Sequence, residues 1–309
     1  MPAFRPLSIA LLASAALIAA PVQASTVGFV VNSDDPSPRD FDSLYRVDLE
    51  TGQSGKIGEV RSTDSSPPFA DIEGLAFNTR LELFGIDDAS KSLIRIDTRT
   101  GRATVLGNAE GNTGLQRNSN YDFGLAFDCQ NVLYASSDSR RTLYRLDSAT
   151  GNAVAVGGEG ALGAPITDIA FRNNVLYGIG SEGSENLYRI DVSTGRAELV
   201  GPLGAGLRFN DGGLSVDSTG RLWGVADMTG SSTTAEPSVV FRINEVTGAA
   251  TRISTTVAGV ESLAITAPFC RAPEGNGIPA ISTISLGGKL SLIALILLGL
   301  VWARPFRTL

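Results

Sequence analysis

The chain contains no histidine and only two cysteines in 309 residues. Without histidine there can be no Ser-His-Asp triad, no imidazole base and no histidine-ligated zinc or iron site. Two cysteines cannot build a thiolate-rich metal centre. The one glycine pattern that hints at dinucleotide binding, Gly178-Ile179-Gly180, lies on a strand with no helix behind it and is a false Rossmann signal. Basic residues are also scarce. The formal charge is −7, but Arg5, Lys289, Arg304 and Arg307 sit at chain ends that hold no acid, leaving 21 basic against 32 acidic residues between them. Such a surface repels nucleic acid phosphates and favours cations or plain solubility. What remains to the chain is the chemistry of carboxylates, amides and hydroxyls.

What the chain has in abundance is repetition. The string LYRVDLETG at residues 44–52 returns as LIRIDTRTG at 93–101, LYRLDSATG at 143–151, LYRIDVSTG at 187–195 and VFRINEVTG at 240–248. The copies start 49, 50, 44 and 53 residues apart, a period suited to a propeller blade. A second echo fixes the register: EGLAF ending at Phe77 is answered by GLAF at 124–127, DIAF at 168–171, GLSV at 213–216 and SLAI at 262–265. Each of the first four is followed by a run of β-formers, then the LYR-type strand, a Thr-Gly turn and a closing strand. Four strands per repeat result.

The first repeat starts late, at its second strand, and the last GLAF equivalent has no partners after it. Each deficit fills the other. The sequence therefore predicts an all-β, five-bladed propeller of four-stranded blades and twenty strands, its first blade closed by the C-terminal strand so that no sheet edge stays open. In the LYR-type strands apolar residues lie on both faces, as blades stacked face to face require. Asp48, Asp97, Asp147 and Asp191 are expected to brace the Thr-Gly hairpins through Asx turns. Arg46, Arg95, Arg145, Arg189 and Arg242, recurring in equivalent strands, suggest hydrogen bonds between blades.

The ends of the chain read as addresses. Arg5 precedes an apolar run over 7–20, and Val22-Gln23-Ala24 offers small residues before a cut, which predicts a signal peptide over 1–24 with an apolar helix. The propeller then occupies 25–271, a linker 272–277, and a tail 278–309 that carries an apolar run at 290–303 with Arg304 and Arg307 behind it, long enough from Ile278 to cross a membrane as a helix. With Ile278-Pro279-Ala280-Ile281 ahead of the run, this tail resembles the IPTL-CTERM family of bacterial sorting signals, which implies processing or anchoring at a Gram-negative envelope. The LYRID-TG repeats resemble bacterial extracytoplasmic propellers with NHL-like patterning, which implies fold alone. The expected address is the periplasm, cell surface or medium, with the membrane as a partner through the tail, and the expected state a monomer.

Cys129 follows the first strand of the third blade, and Cys270 follows the closing strand of the first. Both lie beneath the ring near its centre, and an oxidising compartment makes a bridge between them feasible, subject to a Cα separation within about 7 Å. At the opposite ends of the inner strands stand acids. Glu73, with Asp71 just before it, Asp122, Asp168, Asp211 and Glu261 are expected to surround an acidic mouth, with Asp34, Asp35, Asp87, Asp88, Asp138, Glu182, Glu185 and Asp227 on the loops above. Oxygen ligands converging there could hold Ca²⁺. The plainer reading is that they cap turns and keep the face soluble. The leading functional reading is a non-catalytic, envelope-attached module that binds a protein, glycan or cation. The alternatives are a Ca²⁺-dependent lactonase-type hydrolase and a glycosidase using paired carboxylates.

Overall fold

A computed structural model describes residues 25–33, 42–62, 69, 71–108, 111–116, 121–228 and 236–270. They all belong to the first of the two units into which the chain divides, Met1–Cys270 and Arg271–Leu309. The expected signal peptide, linker and tail lie outside the described residues. No helix among the described residues is long and apolar enough to cross a membrane.

The fold is an all-β, five-bladed propeller. Blade 1 comprises β1 (Val27–Asn32), β2 (Ser43–Asp48) and β3 (Ser54–Glu59). Blade 2 comprises β4 (Ile72–Phe77), β5 (Leu83–Asp87), β6 (Ser92–Ile96) and β7 (Ala103–Val105); blade 3 comprises β8 (Phe123–Phe127), β9 (Leu133–Ser137), β10 (Thr142–Leu146) and β11 (Ala153–Val156). Blade 4 runs through β12 (Ile166–Arg172), β13 (Val175–Gly180), β14 (Asn186–Ile190) and β15 (Ala197–Pro202), and blade 5 through β16 (Phe209–Val216), β17 (Leu222–Met228), β18 (Pro237–Ile243) and β19 (Ala250–Ala258). Each sheet is an antiparallel meander in sequence order. The described strands thus number nineteen, against the twenty expected. The fourth strand of blade 1 is reduced to a bridged segment: Phe29 and Ala264 exchange both backbone hydrogen bonds, at 2.7 and 2.9 Å, and Asn32 pairs with Val260. Between those bridges three steps on β1 face four on the closing segment, so a one-residue bulge interrupts the ladder.

The two-faced strands explain the core. Five apolar clusters lie between the five pairs of neighbouring blades. In β10, Leu143 packs toward blade 4 while Tyr144 and Leu146 pack toward blade 2. The same split recurs in β14, where Leu187 faces blade 5 and Tyr188 and Ile190 face blade 3. The repeated arginines do a different job from the one expected. Each lies directly across the strand pair from an aromatic ring of the inner half-blade: Arg46 from Phe29, Arg95 from Phe84, Arg145 from Tyr134, Arg189 from Tyr177 and Arg242 from Trp223. In blades 4 and 5 the guanidinium lies 5.8 and 5.3 Å from the ring centroid. These are cross-strand pairs inside a blade, which the pleat favours over contacts between blades.

The turn acids behave as expected. Oδ1 of Asp97, Asp147 and Asp191 accepts from the N–H two residues on, each at 2.8 Å, and Asp48 and Asn244 do likewise. The Thr-Gly turns so formed press on the rim of the adjoining blade. A Cβ at Gly157, at the end of the blade 3 outer strand, would stand 1.8 Å from Thr194 O, and one at Gly58 2.3 Å from Thr100 O. The rim is held backbone to backbone.

Beyond Ile265 the chain crosses beneath the hub. Thr266, Ala267 and Pro268 cover the lower end of a central space of about 30 Å³ lined by the inner strands of blades 2 to 5. Phe269 then pairs with Arg172 of blade 4 and receives the Asn173 N–H at 2.8 Å. Cys270 finally joins Cys129 of blade 3 in a disulfide with a Cα separation of 5.7 Å.

Two measurements check these contacts. Gly157→Ala should cost well over 2 kcal/mol, because backbone must move, whereas Gly160→Ala, at a similar positive φ in open space, should cost only the left-handed strain of about 1–2 kcal/mol. Equal losses in denaturant melts would refute the rim model. Reducing the disulfide, which spans 141 residues, should cost about 2–5 kcal/mol and lower Tm by roughly 5–15 °C. Cys129→Ser should show the same loss and no further response to reductant.

Candidate functional site

The inner strands run from the upper end of the hub to the lower, so residues that precede them share one face with the loops joining the second and third strands. Blades 2 and 3 use this arrangement identically. In blade 2 the Asp88 N–H donates to Asp71 O at 2.8 Å, and in blade 3 Asp138 N–H donates to Asp122 O at 3.3 Å. Each pairing brings two carboxylates together. Blade 4 makes the same backbone bond between Ser181 and Pro165, with no acid at either position. Among the described residues, this acidic pairing is thus present in blades 2 and 3 and absent from blade 4.

Asp71, Glu73 and Asp88 form the one group among the described residues in which three acidic side chains bring oxygens within 4.8 Å of one another. Glu73 and Asp88 are buried and Asp71 opens toward solvent. Glu73 is turned inward at a bulge in β4 between Glu73 and Leu75, and its Oε2 accepts from the Phe123 N–H of blade 3. Lys91, 1 % exposed, sets its Nζ 2.5 Å from Asp88 Oδ1 and 5.0 Å from the Tyr121 ring centroid.

Crowding in a dry site pushes these acids toward their neutral forms. Burial, reinforced by the carboxylates of Asp88, Asp87, Asp42 and Asp122, pushes Asp71 up to about 7. Burial holds Glu73 well above its ordinary value, with Asp88, Glu261, Asp71 and Asp122 adding to the effect. Asp88 is raised by burial and pulled back by Lys91. Asp42, buried beside Asp87, rises to about 7 against the opposing hydrogen bonds of Ser33 and Ile72. In blade 3, burial with the charges of Asp122 and Asp211 takes Asp138 to about 8, opposed by the Ser181 hydroxyl, which donates to Oδ2 at 3.0 Å. Its Oδ1 is buried with no donor.

Of the five acids expected at the mouth, Glu73 belongs to the three-carboxylate group, and Asp122 and Glu261 bear on its charge. Asp211 acts on Asp138. Asp168 does not join them. It stands where the other inner strands carry Gly74, Gly124, Gly213 and Ser262, and its carboxylate is spent on the hub: Oδ1 accepts from Leu125 N at 3.0 Å and Ile169 N at 2.8 Å, and Oδ2 from Leu214 N at 2.5 Å. One side chain thereby ties the inner strands of blades 3, 4 and 5. Burial raises its pKa while those three N–H groups oppose the rise. Sequence reasoning also passed over Lys91, although a lysine three residues after Asp88 in a loop above the hub is a visible signal.

Residues 73–219 match the model of a repeat family described as a repeat of unknown function, DUF6923. No curated protein matches the chain. Among solved structures it is similar to virginiamycin B lyase from Staphylococcus aureus, at 12 % identity and a TM-score of 0.41, over 70 % of this chain and 64 % of that one. It is similar to a gluconolactonase from Xanthomonas campestris, at 14 % identity and a TM-score of 0.45, over 78 % and 79 % of the two chains. A calcium-binding regucalcin from Agrobacterium tumefaciens matches at 17 % identity and a TM-score of 0.41, over 74 % and 72 %. The chain thus spans just under two thirds of the lyase's length.

The two kinds of buried acid should separate by mutation. Asp168→Asn puts an amide donor against backbone N–H groups and should cost about 2–3 kcal/mol, read as a lower midpoint in urea. Glu73→Gln, in a site already favouring the neutral form, should leave the midpoint nearly unchanged or raise it. A tolerant Asp168 would remove its place in the hub.

Proposed function

We propose that this domain is a non-catalytic binding module, exported to an oxidising compartment, whose upper mouth takes up a divalent cation of the Ca²⁺ type through Asp71, Glu73 and Asp88. The carrying observation is the convergence of three carboxylates within 4.8 Å in a neighbourhood where the surrounding charge is mostly negative. A hard cation relieves that repulsion and accepts oxygen ligands readily. A binding role is favoured because the acidic pair of blade 2, Asp71 with Asp88, recurs in blade 3 as Asp122 with Asp138, so neither pair stands out from its repeat-mate. The Cys129–Cys270 disulfide supports export, since such bonds persist in oxidising compartments.

Proton linkage gives the test. A carboxyl whose folded pKa is raised is favoured in its protonated form in the folded state, and this stabilisation is complete below the unfolded value of 3.8 and lost as pH rises through about 7 for Asp71 and Asp42 and about 8 for Asp138. In chelator, the protein should lose stability steadily from pH 4 to 8. Ca²⁺ at one hundred times its Kd should return about 2.7 kcal/mol at pH 8 and far less at pH 5, where protons compete for the ligands. Melting curves at both pH values check this, and a curve at pH 8 unmoved by millimolar Ca²⁺ would end the cation reading.

A further inference from the structure

We propose that Lys91 is a built-in competitor for the cation position of the mouth: its ammonium neutralises Asp88 when no metal is bound, and a divalent ion must displace it to reach all three carboxylates. The inference rests on the cation reading of Asp71, Glu73 and Asp88 and adds an internal control on it.

The position of Lys91 in the repeat carries the argument. It closes the loop between the second and third strands of blade 2, as Arg141 does in blade 3. Both backbones are left-handed, at φ 57° and 48°. Both carbonyls accept a backbone N–H from the segment after the outer strand, Thr113 to Lys91 and Leu162 to Arg141. The turn is thus the same, but the side chains part: Arg141 is exposed and Lys91 is buried. Nothing in the turn forces the lysine inward. Its Nζ lies 2.5 Å from Asp88 Oδ1, and 5.0 and 5.9 Å from the ring centroids of Tyr121 and Phe123, which stack on each other at 5.2 Å. An ammonium so placed is held by one carboxylate and by two ring faces that favour cations.

Asp88 is also the member of the three-carboxylate group that a metal would have to share with this ammonium. A divalent ion bound there meets a unit positive charge at close range in a poorly hydrated site, which weakens its binding strongly. Ammonium and metal draw on the same carboxylate, so binding is strongest when Lys91 withdraws from Asp88. Asp88 has a positive partner in either state, the lysine or the metal, and is never left as a lone buried charge.

The experiment uses the full-length chain and Ca²⁺ alone, by isothermal titration calorimetry at pH 8. Lys91→Met should bind Ca²⁺ at least tenfold tighter than the unaltered protein, while Lys91→Arg, which keeps the charge, should bind no tighter. Equal or weaker binding by Lys91→Met, or a gain shared by Lys91→Arg, overturns the proposal. If only Lys91→Met binds, the competitor role stands and the native protein's use of Ca²⁺ falls; if neither binds, both fall. A readout free of folding effects comes from acetic anhydride labelling of the unaltered protein followed by peptide mass spectrometry. Lys91 should gain reactivity when Ca²⁺ is bound, with Lys56 as the reference, and unchanged protection of Lys91 at saturating Ca²⁺ overturns displacement.

Discussion

Five sheets radiating from one axis must crowd at their inner strands, and that crowding governs the rest of the molecule. At Gly124 a Cβ would fall 2.4 Å from the Asp168 backbone, and at Gly213 2.3 Å from Leu263 N. The column is therefore built of glycine, serine and one aspartate whose oxygens replace missing cross-strand bonds. The same convergence draws acids from separate blades into a small volume above the hub. Residues fifty positions apart in the chain, such as Glu73 and Phe123, become hydrogen-bonded neighbours.

One residue type meets opposite fates in this frame. Asp97, Asp147 and Asp191 lie in exposed turns where backbone N–H groups, joined by the Arg99 guanidinium at Asp97 and by turn hydroxyls at the other two, hold their pKa values down. Asp71, half-buried, and Asp138, buried, lie among other acids and are driven up. Charge alone therefore does not mark a site. What distinguishes the mouth is that carboxylates crowd one another there, with Asp71, Glu73 and Asp88 bringing oxygens within 4.8 Å of one another, so folding leaves electrostatic work undone that a cation can complete.

Much of the architecture was legible because a repeat states which residues are equivalent. The blades, the Asx-braced Thr-Gly turns, the two-faced strands and the closure between blade 1 and the segment near Ala264 all follow from equivalence and strand order. Failures occurred where equivalence says nothing about direction. The arginine column was read as linking blades, although the pleat sets each arginine against an aromatic residue of its own blade. Asp168 was grouped with the mouth acids by its place before an apolar run, yet one position of register puts it in the glycine column, where it serves the hub. The spacing of Lys91 from Asp88 is visible in the sequence, but its repeat-mate Arg141 is exposed, and it is the packing of Lys91 against Tyr121 and Phe123 that turns it inward.

The crossing beneath the hub also decides how the ring bears mechanical load. The two bridges that close blade 1 would unzip one after the other if tension on the C-terminal end reached them directly. Such tension meets Cys270 first and passes through a covalent bond to Cys129, behind the inner strand of blade 3. Phe269, paired with Arg172, spreads part of it into blade 4. A pull from below is thus delivered to the far side of the ring, and the weakest seam of the propeller is left unstressed.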